Sequence, residues 1–417
     1  MAKADSATVD MNNDLSTDWS LKVRLLLNAG HAIDHMFLLI FAAAVGVIAV
    51  DFGVHRWEDL MPYGVGAFIL FGLGALPAGR LGDLWGRRQM MLVFFFGMSG
   101  ATLLTAVAQS PWQIAFALTL VGAFASIYHP VGIPMLVQRS PRPGMAIGIN
   151  GLAGNMGVAV AALFTGFMVK WFGWRAAFAV PAIISFICGV LFLLACPKET
   201  EPPSKRVSKA KVQLPRKMLA RALLVMTMAA VSGNLLYNFT TNGNGQLMVE
   251  RFQGVIEDPA MLGTLLAIVY AVAAFAQVIV GRLLDRFEVK PLFLTVVLVQ
   301  IPLLLLVSVS QGWTMYAALL AVMIFVFGAI PFIDVMIVRY VDDRIRSRVA
   351  GMRFTVSLGL SALAVWILGP FVKSTGFDTL FMFMALISIC TVATVALLPG
   401  ERKIQKMNMD QGQVDAA

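Results

Sequence analysis

The sequence predicts an all-α membrane protein with twelve transmembrane helices, arranged as two parallel six-helix bundles. Three observations lead to this fold class. Of the 417 residues, 59% are hydrophobic and only 13% are charged, which leaves too little polar surface for a water-soluble fold. Apolar stretches long enough to cross a bilayer recur along the chain. Short motifs also repeat between its two halves.

The individual spans follow from their length and polarity. A helix needs about 20 mostly apolar residues to cross the hydrocarbon core of a bilayer. The first half holds six such stretches, at residues 24–48, 60–79, 89–108, 112–137, 145–169 and 175–196. The second half holds six more, at residues 219–246, 260–281, 291–310, 314–338, 349–371 and 378–398.

Polar segments divide the chain into domains. Residues 1–20 contain no apolar core and predict a disordered N-terminal tail that is not a cleaved signal. The first bundle then covers residues 21–196, and a Pro-containing basic cytoplasmic linker covers 197–218. The second bundle covers residues 219–399, and a cytoplasmic tail covers 400–417.

The placement of basic residues predicts the orientation. If the N-terminus is cytoplasmic, only five of the 32 Lys and Arg residues lie in outside segments. Basic residues are retained on the cytoplasmic side during insertion, so both termini are predicted to be cytoplasmic in a multi-pass protein of the inner (plasma) membrane. The lipid bilayer therefore explains the net charge of +9 without a nucleic-acid partner. Nothing in the pattern requires an oligomer, and a monomer is expected.

A loop motif recurs at a fixed offset. Residues 79–83 (GRLGD) follow the second span, and residues 281–285 (GRLLD) follow the eighth, 202 positions later. Six spans per half with both halves in the same orientation is the arrangement of parallel repeats. The extended first copy, residues 79–88 (GRLGDLWGRR), resembles the loop signature of the major facilitator superfamily, and the resemblance covers essentially the whole chain. Residues 126–130 and 154–157 are similar to its fosmidomycin-resistance-like branch.

The resemblance implies the major facilitator fold and transport by alternating access between two states. It also implies that the loop motifs are gating elements that stabilise the outward-open state, with Arg87 and Arg88 bonding across the halves. The expected gating residues are Gly79, Asp83, Gly86, Arg87, Arg88, Gly281, Asp285 and Arg286. A purely topogenic role explains the basic residues of the second copy equally well.

Three ionisable residues lie within the first span. His31, Asp34 and His35 are spaced so that they share one face of a helix. An ionisable group inside a bilayer is costly unless it is paired or faces water, so this trio predicts proton coupling or substrate binding. The alternative is a structural network that fixes the span to a neighbour. A metal site and a cofactor are not expected, because no Cys, Glu or second His pair lies nearby, although a metal as transported substrate stays open.

Other polar residues within spans predict a substrate cavity. Tyr128 and His129 precede Pro130, which frees a backbone carbonyl in the fourth span. A kinked helix whose His caps that carbonyl is the alternative. The seventh span carries a polar stripe that either lines the pathway or bonds to another helix. The predicted cavity residues are Tyr128, His129, Asn155, Asn234, Asn238, Thr241, Asn242 and Asp334.

The same sequence limits the possible functions. It contains no phosphate-binding loop and no catalytic triad or metal motif in a soluble segment, so an ATP-driven pump and an enzyme are not expected. The leading hypothesis is proton-coupled export of a small amphiphilic or drug-like solute. Proton-coupled uptake of a small metabolite or siderophore-like compound is the alternative. A non-transporting receptor or scaffold is a further one, because a fold alone does not fix function.

Overall fold

The computed structural model describes the backbone of residues 21–138, 140, 143–198, 216–340 and 343–400. This part of the chain is helical and contains no strand. The predicted N-terminal tail, nearly all of the C-terminal tail and most of the basic linker lie outside the described residues. The side chain of Asp334 also lies outside them.

The first half contains six spans. They are α1 (Leu21–Asp51), α2 (Trp57–Leu73 and Ala75–Trp85), α3 (Arg87–Ala106), α4 (Pro111–Val137), α5 (Pro143–Phe172) and α6 (Trp174–Ala195). The two parts of α2 meet at Gly74 with a bend of 45°. A Cβ at Gly74 would stand 2.5 Å from the Ser126 hydroxyl oxygen on α4, so glycine permits the close packing of the two helices.

The second half also contains six spans. They are α7 (Arg216–Arg251), α8 (Pro259–Leu284), α9 (Val289–Val309), α10 (Gly312–Gly328 and Ile330–Tyr340), α11 (343–375) and α12 (377–396). The last two run on without a loop as a helical segment of 54 residues. At about 1.5 Å per residue, that segment is far longer than a bilayer core of about 30 Å. Gly376, with φ of +80°, breaks it into two spans.

The observed number of spans confirms the predicted fold class. Ten helices of the described chain are long and apolar enough to cross a membrane, and α2 qualifies as a bent pair. The break at Gly376 divides the last of the ten, which gives twelve spans in all. Large apolar side chains such as Phe116, Ile183 and Phe275 are exposed on the outer faces of the helices. Such surfaces are matched by lipid and not by water.

Contacts between the halves lie at the ends of the helices predicted to face outward. Gly166 on α5 meets Gly263 on α8, where an added Cβ would stand 3.1 Å from the Cα of the opposite glycine. Two ion pairs lie at the same side of the molecule: Lys170 with Asp258, and Lys373 with Asp59, the latter at 2.5 Å. These contacts join the two halves at the side predicted to face outward.

Candidate functional site

Helix α1 turns its polar face toward α5. His31 and Asp34 are buried and His35 is half-buried. A Cβ at Gly157 of α5 would stand 2.2 Å from the Ala32 carbonyl oxygen, so the two helix backbones touch. The glycine run of the fifth span thus serves close helix packing, which also brings the α1 face against α5.

A π-helical turn in α4 completes the site. The turn covers Tyr128–Gly132 and includes Pro130. It places His129 against the polar face of α1. Nε2 of His129 lies 3.4 Å from Oδ2 of Asp34. The three imidazoles of His31, His35 and His129 each offer one nitrogen, and these nitrogens lie within 4.8 Å of one another. Two candidate regions almost 100 residues apart therefore form one group, which we call the histidine cluster: His31, His35, His129 and Asp34.

Asp34 has an unusual environment within this cluster. Its side chain is 0% exposed. Neither carboxylate oxygen has a hydrogen-bond partner among the described residues. A buried carboxylate without partners is expensive in its charged form, and polar side chains in this state are rare in folded proteins. Asp34 therefore differs from every other described acidic residue within a span: its carboxyl group is fully buried and neither of its oxygens has a hydrogen-bond partner.

The imidazole of His31 is held in one orientation. Its Nδ1–H donates to the Asn150 carbonyl oxygen over 2.7 Å. In the neutral ring this leaves Nε2 as an acceptor, so the 3.1 Å contact between the Nε2 atoms is a hydrogen bond donated by His35. The ring of Tyr128 stacks on His31 with centroids 4.8 Å apart. These contacts fix both the tautomer and the plane of the ring.

Asn150 and Asn28 belong to the site, although the predicted cavity omits them. The Asn150 side-chain amide donates to the Tyr128 hydroxyl over 2.7 Å and to Asn28 Oδ1 over 2.9 Å. Asn155, which was predicted, donates instead to the Gly151 carbonyl of its own helix. Asn28 precedes His31 by three residues, so the two side chains share one face of α1. This spacing is the sequence signal from which Asn28 could have been predicted.

The polar stripe of α7 lies elsewhere. The Asn238 amide donates to Ser361 of α11 over 3.0 Å and to Asn234 Oδ1 over 2.8 Å. Asn234 in turn donates to the Ser357 carbonyl. These bonds correspond to the helix-packing alternative for the stripe, because they join α7 to α11 and do not reach the histidine cluster.

The remaining stripe residues bond within α7. Asn242 donates to the Asn238 carbonyl over 3.0 Å, and Thr241 donates to the Tyr237 carbonyl over 2.7 Å. Thr241 also lines a void of about 10 Å³ between the halves, which has room for about one water molecule. In this conformation the void is too small for a solute.

The loop motif also bonds within the first half. The Arg88 guanidinium donates to the carbonyls of Cys196 at 2.7 Å and Leu193 at 2.8 Å. Both carbonyls lie at the C-terminal end of α6 in the same half, where a cation satisfies unpaired carbonyls and complements the helix dipole. Gly79 packs under Pro130, with an added Cβ 3.3 Å from the proline Cβ. The motif therefore contacts the turn that carries His129.

The other motif residues lie at helix ends. Gly86 separates α2 from α3 with φ of +96°. Asp83, Asp285 and Arg286 are exposed. Arg87 begins α3, and Gly281 faces open space. Their gating role stays a prediction.

The sequence of this chain is similar to those of a known protein family and of several curated proteins. A model of the Major Facilitator Superfamily matches residues 27–253 and 248–410. The multidrug resistance protein MdtG of Salmonella arizonae is 25% identical over 340 residues, which cover 78% of this chain and 80% of that protein. MdtG of Enterobacter lignolyticus is 24% identical over 362 residues, covering 83% of this chain and 82% of that protein.

Two solved structures share the fold. A bacterial homolog to the human lysosomal transporter Spinster, in an inward-facing and occupied conformation, aligns with a TM-score of 0.68 and 17% identity. The alignment covers 90% of this chain and 94% of that one. A D-xylose-proton symporter aligns with a TM-score of 0.70 and 15% identity over 90% of this chain and 96% of its own.

These matches confirm the family and the membrane location predicted from the sequence, while the branch within the family stays a prediction. The family consists of transporters and not of enzymes. Its matched regions span both six-helix halves, from α1 to beyond α12. This chain belongs to the Major Facilitator Superfamily and is a multi-pass secondary transporter of the inner membrane.

Proposed function

We propose that the protein exports a small amphiphilic or drug-like solute in exchange for protons, and that Asp34 carries the proton. One observation supports the assignment of Asp34 above all others. Its carboxyl group is fully buried in the first half, and neither oxygen has a hydrogen-bond partner within the described structure. A neutral acid suits this environment far better than a carboxylate does.

Burial links the proton to the conformation of the transporter. In alternating access the halves rock about the central site, so a group that is dry in one state is wetted in another. Water stabilises the carboxylate, whereas burial favours the acid. The proton then binds the two states with different free energies, which is the only way in which a ligand shifts a conformational equilibrium.

His129 is a route for the proton to Asp34. Its side chain is 23% exposed, whereas that of Asp34 is not exposed at all. With 3.4 Å between Nε2 and Oδ2, a small movement of either side chain makes a direct hydrogen bond. Imidazole exchanges protons near neutral pH, which suits a relay between the cavity and the carboxyl group.

Two observations support an amphiphilic solute. The partly exposed edge of the cluster has an aromatic neighbour, because the Phe71 ring lies edge-on to His129 with centroids 5.7 Å apart. Sites with apolar walls and a few polar groups bind amphiphilic small molecules. The relatives named multidrug resistance protein support export of such compounds.

The test is solute-driven proton movement in proteoliposomes that contain a pH-sensitive dye. A panel of drugs, siderophores and small organic acids is added outside in the absence of a pH gradient. Antiport predicts that the interior becomes alkaline as solute enters and protons leave. Symport, the mechanism of the uptake alternative, predicts an acidic interior. The sign of the response does not depend on the orientation of the protein in the vesicle.

The decisive variant is Asp34→Asn, and Asp51→Asn at the outer end of α1 is its matched control. Asp51 is exposed and pairs with Arg175 at 2.9 Å, away from the cluster. We expect Asp34→Asn to abolish proton movement and concentrative transport while solute binding persists, and Asp51→Asn to retain both. Proton movement that survives in Asp34→Asn would remove Asp34 from the mechanism. No flux with any solute, in protein that binds none, would favour the receptor or scaffold alternative.

A further inference from the structure

We propose that the histidine cluster also binds a divalent transition-metal ion of the Zn²⁺ class, with His31, His35 and His129 as nitrogen ligands and Asp34 as the oxygen ligand. The sequence argued against a metal because His31 and His35 lacked a further ligand nearby. The fold supplies His129 from α4, nearly 100 positions along the chain.

The distances are close to those of a metal centre. Zn²⁺ binds imidazole nitrogen at about 2.0–2.1 Å, so neighbouring ligands of a tetrahedral site lie about 3.3 Å apart. Two contacts already match: 3.1 Å between the Nε2 atoms of His31 and His35, and 3.4 Å between His129 Nε2 and Asp34 Oδ2. The three imidazole nitrogens span at most 4.8 Å. Side-chain rotations that shorten this span by about 1.5 Å would bring the three nitrogens to tetrahedral spacing.

The surroundings of His31 are those of a metal-binding imidazole. Ligating histidines usually donate their second ring N–H to a carbonyl or carboxylate, which fixes the tautomer and orients the ring. His31 donates Nδ1–H to the Asn150 carbonyl oxygen over 2.7 Å and turns Nε2 toward His35. Tyr128 stacks on one face of the ring, and Gly154 of α5 stands so close that an added Cβ would lie 2.7 Å from the ring.

Charge supplies a second, independent argument. Asp34 is completely buried and its oxygens accept no hydrogen bond from the described residues. A bound dication would satisfy the carboxylate directly. Three imidazoles with one carboxylate favour Zn²⁺, Co²⁺, Ni²⁺ or Cu²⁺, whereas Mg²⁺ and Ca²⁺ prefer sites made of oxygen ligands. His35 and His129 are partly exposed, and their exposed edges give the ion access to the cluster.

The ion and the coupling proton would occupy the same side chains. We therefore expect Zn²⁺ to inhibit proton-coupled transport, and this consequence rests on the proposed function. Metal binding itself does not, because it is measured at equilibrium without a gradient or a solute. The two proposals consequently fail in different experiments.

The experiment titrates Co²⁺ into the purified full-length protein in lipid nanodiscs, prepared without a polyhistidine tag, and follows visible absorption. A tetrahedral nitrogen–oxygen site gives intense cobalt bands. We expect one Co²⁺ per chain, displaced by Zn²⁺ but not by Mg²⁺. His35→Ala and His129→Ala should each weaken binding at least about tenfold, as loss of a metal-site group commonly does. The matched control is His55→Ala, which alters the exposed fourth histidine of the chain.

Size-exclusion profiles identify the folded variants before titration. Absence of tetrahedral cobalt in folded wild-type protein would overturn the inference, as would equal binding in wild type and a folded His35→Ala/His129→Ala double variant. Binding that is lost in the cluster variants and kept in His55→Ala supports it. If cobalt binds as expected but Asp34→Asn still moves protons, the proposed function falls and the metal site stands.

Discussion

The centres of the two halves differ in the state of their polar groups. In the first half, the carboxylate of Asp34 is buried without a hydrogen bond, beside three imidazoles. In the second half, the corresponding first helix carries neutral amides, and Asn238 bonds to Asn234 and to Ser361 of α11. Both regions are polar stripes within a membrane span. Only the first contains groups that change charge.

This difference indicates a division of labour between the halves. The amides of Asn234 and Asn238 and the Ser361 hydroxyl bond to one another between α7 and α11 and offer little to a proton. A carboxyl group without partners gains most from a change of environment or of ligand. The difference agrees with the proposed function, in which the first half binds the coupling proton at Asp34. Four substitutions or conditions test this comparison.

The largest effect is expected from Gly154→Ala on α5. The new Cβ would lie 2.7 Å from the His31 imidazole, which must move and lose its alignment with the Asn150 carbonyl. Displacement of an active group by about 1 Å can cost 100-fold in enzymes, and we expect solute-driven proton movement to fall by at least about tenfold. Proteoliposome assays measure the rate.

Gly148→Ala is the matched control on the same helix, because an added Cβ there meets nothing within 4 Å. It should transport at the wild-type rate. Equal rates in Gly154→Ala and Gly148→Ala would contradict the assignment of proton coupling to the first half, since the orientation of His31 would then be irrelevant to coupling.

A smaller effect is expected from Gly166→Ala, where the halves meet. Its Cβ would lie 2.4 Å from the Pro259 carbonyl oxygen, so α5 and α8 must separate at the outer side. We expect the state in which the halves touch at the outer side to lose population and transport to slow by about three- to tenfold, as for a shift of about 1 kcal/mol. Spin-label distances across the outer ends, with Gly151→Ala as control, measure the shift. An unchanged distance distribution would argue against closure at this contact.

Asn238→Ala should affect stability more than coupling. The variant loses the bonds to Asn234 and Ser361, each typically worth about 0.6 kcal/mol in a membrane. We expect a loss of about 1 kcal/mol in the free energy of unfolding and a lower thermal midpoint in a scanning assay, with the proton-to-solute ratio unchanged. Asn155→Ala, whose amide bonds only within its own helix, should change stability less. A changed ratio in Asn238→Ala would move part of the coupling into the second half.

The fold was predictable because bilayer thickness and backbone hydrogen bonding leave few choices. The lengths of the apolar stretches predicted the spans, and the loop motif that recurs 202 residues later predicted two similar halves. The spacing of His31, Asp34 and His35 also placed them on one face without any tertiary information. The predicted spans at residues 349–371 and 378–398 also lie on either side of the break at Gly376, although a helix continues on both sides of it.

The composition of the site was less predictable, because it depends on how each helix is rotated about its axis. Asn150 and Asn155 lie in the same glycine-rich run, yet only Asn150 faces Tyr128. His129 reaches Asp34 through a π-helical turn, which the presence of Pro130 suggested but did not orient. The sequence left two roles open for the α7 amides, pathway lining and helix packing, because it did not show the hydrogen bond from Asn238 to Ser361 of α11. Contacts between helices distant in sequence decided each of these cases.

The smallest effect is expected at the ion pair between Lys170, in the last turn of α5, and Asp258, which lies outside the membrane-spanning segments just before α8. The Lys170 ammonium lowers the pKa of Asp258 below its ordinary value of 3.8, so the pair is fully formed above that value and is lost only as pH falls through the lowered pKa. Acidification of the outside to pH 5, which alters proton binding in the centre, should therefore leave this contact intact. Spin labels at Phe172 and Val255 measure the separation as a function of pH. As the pH falls below 3.8 and through the lowered pKa of Asp258, the distance should lengthen slightly in wild type. Asp258→Asn should show that longer distance at neutral pH and lack this response. A lengthening between pH 7 and pH 5 in both proteins would mean that the central site, and not the ion pair, controls the outer contact.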